Sequence, residues 1–297
     1  MSTSQSADLY STDLREADLH EVDLHGIDLR GKSLLVIIPA FNEQGAIRQV
    51  VKGVYARLPN ADTLVIDDGS RDNTAYEAQA SGAFVVRHPF NLGIGGAVQT
   101  GLKFAQQHGY DYVIRIDGDG QHSVSHIQAM LTVLQNGQAD MVIGSRLLNA
   151  DVDWHIPLTR RLGIRLYALE VTWLTGSRFT DTTSGYWGMN RRAIQVLAHY
   201  LPQDYPDVES RIIIHKAGLT QLELPVHMEA RVAGVSSINL MQSIYYALKV
   251  TIAVVTTALK DYSLSFQENH DAHSAGAKGR SRSLQPRPVA HHAPTDP

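Results

Sequence analysis

The 297-residue chain contains no cysteine, so it forms no disulfide and offers no thiolate to a metal. That absence fits a reducing compartment. It also has no large excess of one charge: 26 basic residues face 30 acidic ones, a formal net charge of -4, and no global field points to nucleic acid. Any anion site must rest on individual arginines. The N-terminus is polar and acidic, with no apolar leader, and the expectation is a chain on the cytoplasmic side. Long unbroken apolar runs are missing as well. The most apolar late stretch, Ile238 to Leu259, is divided by Lys249, whereas a membrane span needs about 20 apolar residues. It reads as a helix lying in a membrane interface, a homo-oligomer face or a packed terminal helix, with Tyr245, Tyr246, Leu248 and Ile252 as its contacts.

What is present is 43% hydrophobic, enough to bury a sizeable core. Four stretches follow from composition: 1–31, 32–237, 238–262 and 263–297. Ala7 to Gly31 repeats with a five-residue period, ADLYS TDLRE ADLHE VDLHG IDLRG, and is similar to the pentapeptide-repeat family. The resemblance implies a square β-helix, but five units make little more than one coil, which cannot bury its own leucine row. The expected role is a non-enzymatic extension. The tail, rich in His, Ala, Ser, Arg and Pro, reads as disordered.

From Lys32 strand and helix signals alternate. Strands are expected at Leu34 to Ile38, stopped by Pro39, then at Thr63 to Ile66, AFVVRH, Tyr112 to Ile116 and DMVIGSR. Helices are expected at Gln44 to Arg57, Arg71 to Ala80, Ile94 to His108 and Ser123 to Asn136. Such order predicts an α/β fold with a mostly parallel central sheet flanked by helices, binding ligands beyond the strand carboxyl ends.

Those strand ends carry the chemistry. The run YVIRIDGDGQH is a β-branched strand, interrupted by Arg115, that ends at Asp117 and Asp119 with Gly118 and Gly120 between and after them. Two carboxylates at that spacing can converge on one hard cation, and the glycines keep the backbone open to a ligand. Alone, the motif better suits a solvated turn capping the next helix, and the rest of the chain reverses that preference. Pro39–Glu43 and Asp67–Ser70 repeat the signal at two earlier strand ends, although an Asx turn explains Asp67 and Asp68 by themselves. The glycines of NLGIGGA follow the third strand, not the first, which argues against a dinucleotide fingerprint and leaves a helix start close to a nucleotide or sugar.

In order, PAFNE, VIDDGS, NLGIGGA, DGDGQH, GSR, DTTSGYWGMNRRA and PVHMEARVAGVSSI resemble the inverting family 2 glycosyltransferases of GT-A fold. Among these they are most similar to the polyprenyl- or dolichyl-phosphate mannose and glucose synthases. The resemblance spans about Leu34 to Leu259. It implies that Pro39, Phe41, Glu43, Ile66 and Asp68 hold the nucleoside, with Asp68 reading the base edge. It implies that Asp117, Asp119 and Gln121, around Gly118, hold Mg²⁺ or Mn²⁺ against the diphosphate, where a cation stabilises the leaving charge. Arg146 and Arg231 match phosphate-contacting arginines, and Ser237 stands where relatives often place a lysine. Arg160 and Arg161 are candidates for the acceptor phosphate. Asp181 aligns with the carboxylate facing the acceptor, where it would act as a base or as a positioning group, and Glu209 is a second acid there.

The implied reaction is transfer of a hexose from a GDP- or UDP-sugar to a polyprenyl phosphate, with peripheral membrane contact and no nucleic acid. A saccharide acceptor and a non-catalytic interaction scaffold are the alternatives.

Overall fold

The computed structural model describes residues 33–148, 158–228 and 240–262, the side chains of 158–162 and 240–248 excepted. The repeat, the tail, Arg231, Ser237 and the side chains of Arg160, Arg161, Tyr245, Tyr246 and Leu248 lie outside the described residues.

Seven strands form one sheet: β1 (Leu34–Ala40), β2 (Asp62–Asp67), β3 (Phe84–Arg87), β4 (Tyr112–Arg115), β5 (Met141–Ser145), β6 (Trp187–Asn190) and β7 (Gln221–Pro225), in the order β3-β2-β1-β4-β6-β5-β7. All pairings are parallel except those of β6, which runs against both β4 and β5. The helices are α1 (Ile47–Arg57), α2 (Thr74–Ala80), α3 (Ile94–His108), α4 (Ile127–Gln135), α5 (Leu158–Thr175), α6 (Arg191–Tyr200), α7 (Pro206–Lys216) and α8 (Leu240–Leu259).

The centre of β1 is buried on both faces, which is why Leu34 to Ile38 is a continuous apolar run and not an alternating one. Val36 and Ile38 pack in a core with Ile47, Val51 and Val54 of α1 and Met130 and Leu131 of α4. Ile37 faces α3, where a Cβ on Gly101 would stand 3.1 Å from its Cγ2. Each such side chain contributes roughly 1.5–3 kcal/mol by burial, so Val51→Asp would break the α1 contact. Glycines bound α3: Gly93 precedes it at φ 85°, and Gly109 closes it at φ 75° in the left-handed region. Asn190 caps α6, accepting from the N–H groups of Arg192 and Ala193.

Several boundaries differ from the sequence expectation: α1 starts at Ile47 and not Gln44, β2 is one residue longer at each end, and β4 ends at Arg115. β1 continues through Pro39, which pairs with Ile66. The missing N–H points toward β4, whose ladder has already ended with Ile116 N–H donating to Ile37. α2 starts at Thr74, not Arg71, because Asp72 accepts from Thr74 N–H and from Gln44 N–H and so makes a capping turn. Val124–His126 is a 3₁₀ turn ahead of α4. α8 packs on α7 and α5 within the same compact unit.

Candidate active site

Polar loops gather where parallel strands end. The loops after β1, β2, β3, β4 and β5 share this rim with the segment before β6, because that strand is reversed. Asn42, at φ 56°, ties two of them: its N–H donates to Ser70 Oγ at 2.9 Å, and its side-chain oxygen accepts from Arg71 N–H at 3.0 Å.

A cleft of about 310 Å³ opens at the rim, lined by Pro39, Phe41, Glu43, Asp68, Gly118 and the Asp117 and Asp119 pair. A larger cavity of about 710 Å³ adjoins it, shares Phe41 and Asn91, and continues along Arg71 and Phe90. Phe41 and Phe90 are 44% and 64% exposed, so two aromatic faces stand available to a planar ligand. The sequence reading missed Phe90, although an aromatic beside the NLGIGGA glycines was a visible signal. Ile66 is corrected: it is fully buried in β2, with its Cδ1 facing Gly101 of α3.

Asp68 lines the cleft and also braces its wall. Its Oδ1 accepts from Leu92 N–H at 2.9 Å and pairs with His88 Nδ1 at 2.7 Å, and its Oδ2 accepts from Gly93 N–H at 2.9 Å. These bonds pin the loop before α3, so most of the carboxylate's accepting capacity serves the fold.

In the β4 loop, Asp117 projects with its side chain 35% exposed. Its Oδ1 lies 3.4 Å from Arg115, and its N–H donates to His122 Nδ1 at 3.0 Å. Burial raises the Asp117 pKa, but the charges of His122 and Arg115 outweigh it and hold the carboxyl below its usual range. His122 stacks on Tyr186, and burial pushes its pKa down. Asp119 Oδ1 accepts from Gln121 N–H at 3.0 Å, which closes the turn. Gly118 has a steric reason: a Cβ there would stand 3.2 Å from both Ala40 Cβ and Pro39 O.

Asp181 has no exposed surface. It takes Arg146 in a two-point grip, Nε to Oδ2 at 2.6 Å and Nη2 to Oδ1 at 2.8 Å, and accepts Arg146 N–H at 3.2 Å. Burial opposes ionisation, yet the Arg146 bonds and charge prevail and hold its pKa below the usual range. The expected base is therefore a poor proton acceptor, and the Arg146 Nε and Nη2 are already spent on it. Glu223 of β7 completes the lock, accepting from Thr180 and Asp181 N–H groups. A lone charge inside QLELP was its only trace in the sequence. Glu209 is corrected too: it bonds Thr257 of α8, and burial raises its pKa.

Arg115, the charge that interrupts the β4 pattern, is buried over the Trp187 ring and also bonds Asp207 at 2.6 Å. Arg211 lies over the same ring, and burial lowers its pKa to about 10.

The donor chemistry fits a hard divalent cation. The described residues lining the cleft include Glu43, Asp68, Asp117 and Asp119 and no lysine, arginine or histidine, an acidic lining. Among the described residues no three His, Asp or Glu side chains converge. Mg²⁺-type ions are commonly held by one or two carboxylates, with water and substrate phosphates completing the shell.

The family model described as "Glycosyl transferase family 2" matches residues 35–197, and the model "Pentapeptide repeats (8 copies)" matches residues 5–31. UDP-N-acetylglucosamine--dolichyl-phosphate N-acetylglucosaminyltransferase of Methanococcus voltae is 30% identical over 242 residues, 73% of this chain and 95% of that one. Undecaprenyl-phosphate mannosyltransferase of Micrococcus luteus is 31% identical over 160 residues, 52% of this chain and 64% of that one. Glucosyl-3-phosphoglycerate synthase of Mycobacterium tuberculosis, solved with Mn²⁺, UDP and glucosyl-3-phosphoglycerate, superposes with TM-score 0.59 at 20% identity, covering 80% of this chain and 84% of that one. That likeness establishes the GT-A fold. With more than half of its length matched by the family model, the chain belongs to glycosyl transferase family 2.

Proposed function

We propose that the protein moves a hexose from GDP- or UDP-hexose to a polyprenyl phosphate, with inversion and with Mg²⁺ or Mn²⁺. Pro39 and Phe41 wall the nucleoside, Glu43 and Gly118 line its path, and Asp117, Asp119 and Gln121 hold the cation. When bound, that ion supplies positive charge to the departing diphosphate. Asp181 acts by fixing Arg146 near Asp117, whose carboxylate feels its charge.

The state of the two expected bases carries the choice of acceptor. A hydroxyl acceptor needs a proton taken from it. Asp181 is locked by Arg146, and Glu209 is turned to α8. A phosphate monoester, with a second pKa of about 6, is largely dianionic at neutral pH and needs no base. Relatives named for dolichyl- and undecaprenyl-phosphate transfer support the same reading. So do Leu166, Leu169 and Trp173 on α5 and Ile252, Val255 and Leu259 on α8, exposed apolar side chains at helical spacing that suit a membrane interface. No helix among the described residues is long and apolar enough to cross a membrane.

The test supplies labelled GDP- and UDP-hexose with extracted polyprenyl phosphate or with soluble sugars. Label is expected in the lipid phase with wild type and not with Asp119→Ala. Label found only in aqueous products would overturn the lipid acceptor, and undiminished transfer by Asp119→Ala would overturn the metal site.

A further inference from the structure

Arg115 touches both the cation-side loop and α7. It sits in mid-strand with 1% of its surface exposed, and its guanidinium carbon lies 4.4 Å from the Trp187 ring centroid. Gly185 makes the room: a Cβ there would fall 2.7 Å from Arg115 Nη2. The arginine's single charge is shared between two acids. The sharing is unequal. Nη1 reaches Asp207 Oδ1 at 2.6 Å, while Nη2 stands 3.4 Å from Asp117 Oδ1.

Asp207 is the second residue of α7, with Pro206 before it, and its side chain is 26% exposed. Among the described residues its second carboxylate oxygen has no partner. Buried Arg211 also feels its charge. None of the candidate roles assigned from sequence falls on Asp207. Those acids went to Asp181 and Glu209, both of which are bound elsewhere.

We propose that Asp207 is a positioning residue for the cation site: by taking the tighter bond of Arg115, it leaves Asp117 only loosely held and negatively charged toward an incoming divalent ion. The inference rests on the reading of Asp117 and Asp119 as cation ligands. Its physical content is charge competition. A cation entering beside Asp117 meets an arginine already compensated by Asp207. Without the Asp207 charge, Arg115 has Asp117 as its only bonded carboxylate, and its charge opposes the incoming ion. Residues behind metal ligands tune affinity by about 10- to 100-fold, and the loss here falls at the lower end, about tenfold, because Asp207 reaches Asp117 only through Arg115.

The experiment titrates purified full-length protein with Mn²⁺ alone and follows the electron paramagnetic resonance signal of the free ion. The titrations are repeated with UDP, and circular dichroism confirms folding. Asp207→Asn keeps the shape and removes the charge, and is expected to weaken Mn²⁺ binding about tenfold. Asp207→Glu keeps the charge and is expected to stay within about twofold of wild type. Equal Mn²⁺ affinity for wild type and Asp207→Asn overturns the inference while leaving the cation site standing. Equal weakening in both variants also overturns it, since a shape change then suffices. Failure of wild type to bind Mn²⁺, with or without UDP, overturns the cation reading itself. Should Asp207→Asn not fold, Asp207→Ser takes its place with the same expected loss.

Discussion

Replacing Asp68 by alanine separates a scaffold role from a ligand role. The carboxylate accepts Leu92 N–H and Gly93 N–H at 2.9 Å each and pairs with His88 at 2.7 Å, in a residue only 3% exposed. A hydrogen bond to a charged group contributes about 1.5–3 kcal/mol. Gly93 N–H keeps a second acceptor, Asn91 Oδ1 at 2.9 Å, so that bond is discounted. Leu92 and His88 then dominate, and the expected loss is about 3 kcal/mol. At roughly 2–4 °C per kcal/mol for a domain of this size, the melting temperature falls by roughly 6–12 °C. Urea unfolding at pH 7 measures the loss, and calorimetric titration with UDP and GDP measures binding by the folded variant. Asp68→Asn retains one acceptor and should fall between the two. A stability change under about 1 kcal/mol together with loss of nucleotide binding would refute the reasoning, because the carboxylate would then be reading the base.

Gly95→Ala should cost about 3 kcal/mol in urea unfolding, since the added Cβ would fall 2.1 Å from Pro202 O and 2.5 Å from Gln203 O, both backbone atoms that cannot turn aside. The Asp181 carboxylate, held below its ordinary value of 3.8, contributes stability that is present above that pH and lost as pH falls through the folded value. The stability gap between wild type and Asp181→Asn should therefore shrink from pH 6 to pH 3, as read by melting curves; a constant gap would contradict the ion pair. Glu209→Gln should leave hexose transfer within about threefold of wild type and should not lower stability at pH 7, because burial already disfavours the charged form.

Much of the scaffold was legible. β-branched runs located β1, β2 and β4, and helical spacing between Gly93 and Gly109 gave α3 to the residue. The DGDG run pointed to its place on the rim because a strand ending in alternating carboxylates and glycines depends on local chemistry alone. β6 was not assigned. It has four residues, one of them Gly188, and it holds its place only by pairing with β4 and β5. Side-chain partners were the least legible. Asp181 finds Arg146 across 35 positions, and Asp68 finds Leu92 across 24, so roles carried over by motif said nothing of whether those carboxylates were free. Arg115 was visible as an interruption of an apolar strand, but its meaning required Asp207, 92 positions away.

The reversal of β6 has a consequence for recombination. The chain leaves the rim after Arg146 and returns to it at Asp181, and the downstream strands interleave with the upstream ones, β6 between β4 and β5 and β7 outside β5. Chimaeras of relatives joined between those two residues would exchange whole halves. They would cut many specific cross-links, among them Arg115 with Asp207, Arg146 with Asp181 and Asp140 with Asn190 and Thr220, and grafts that keep these partners matched should outlive those that do not.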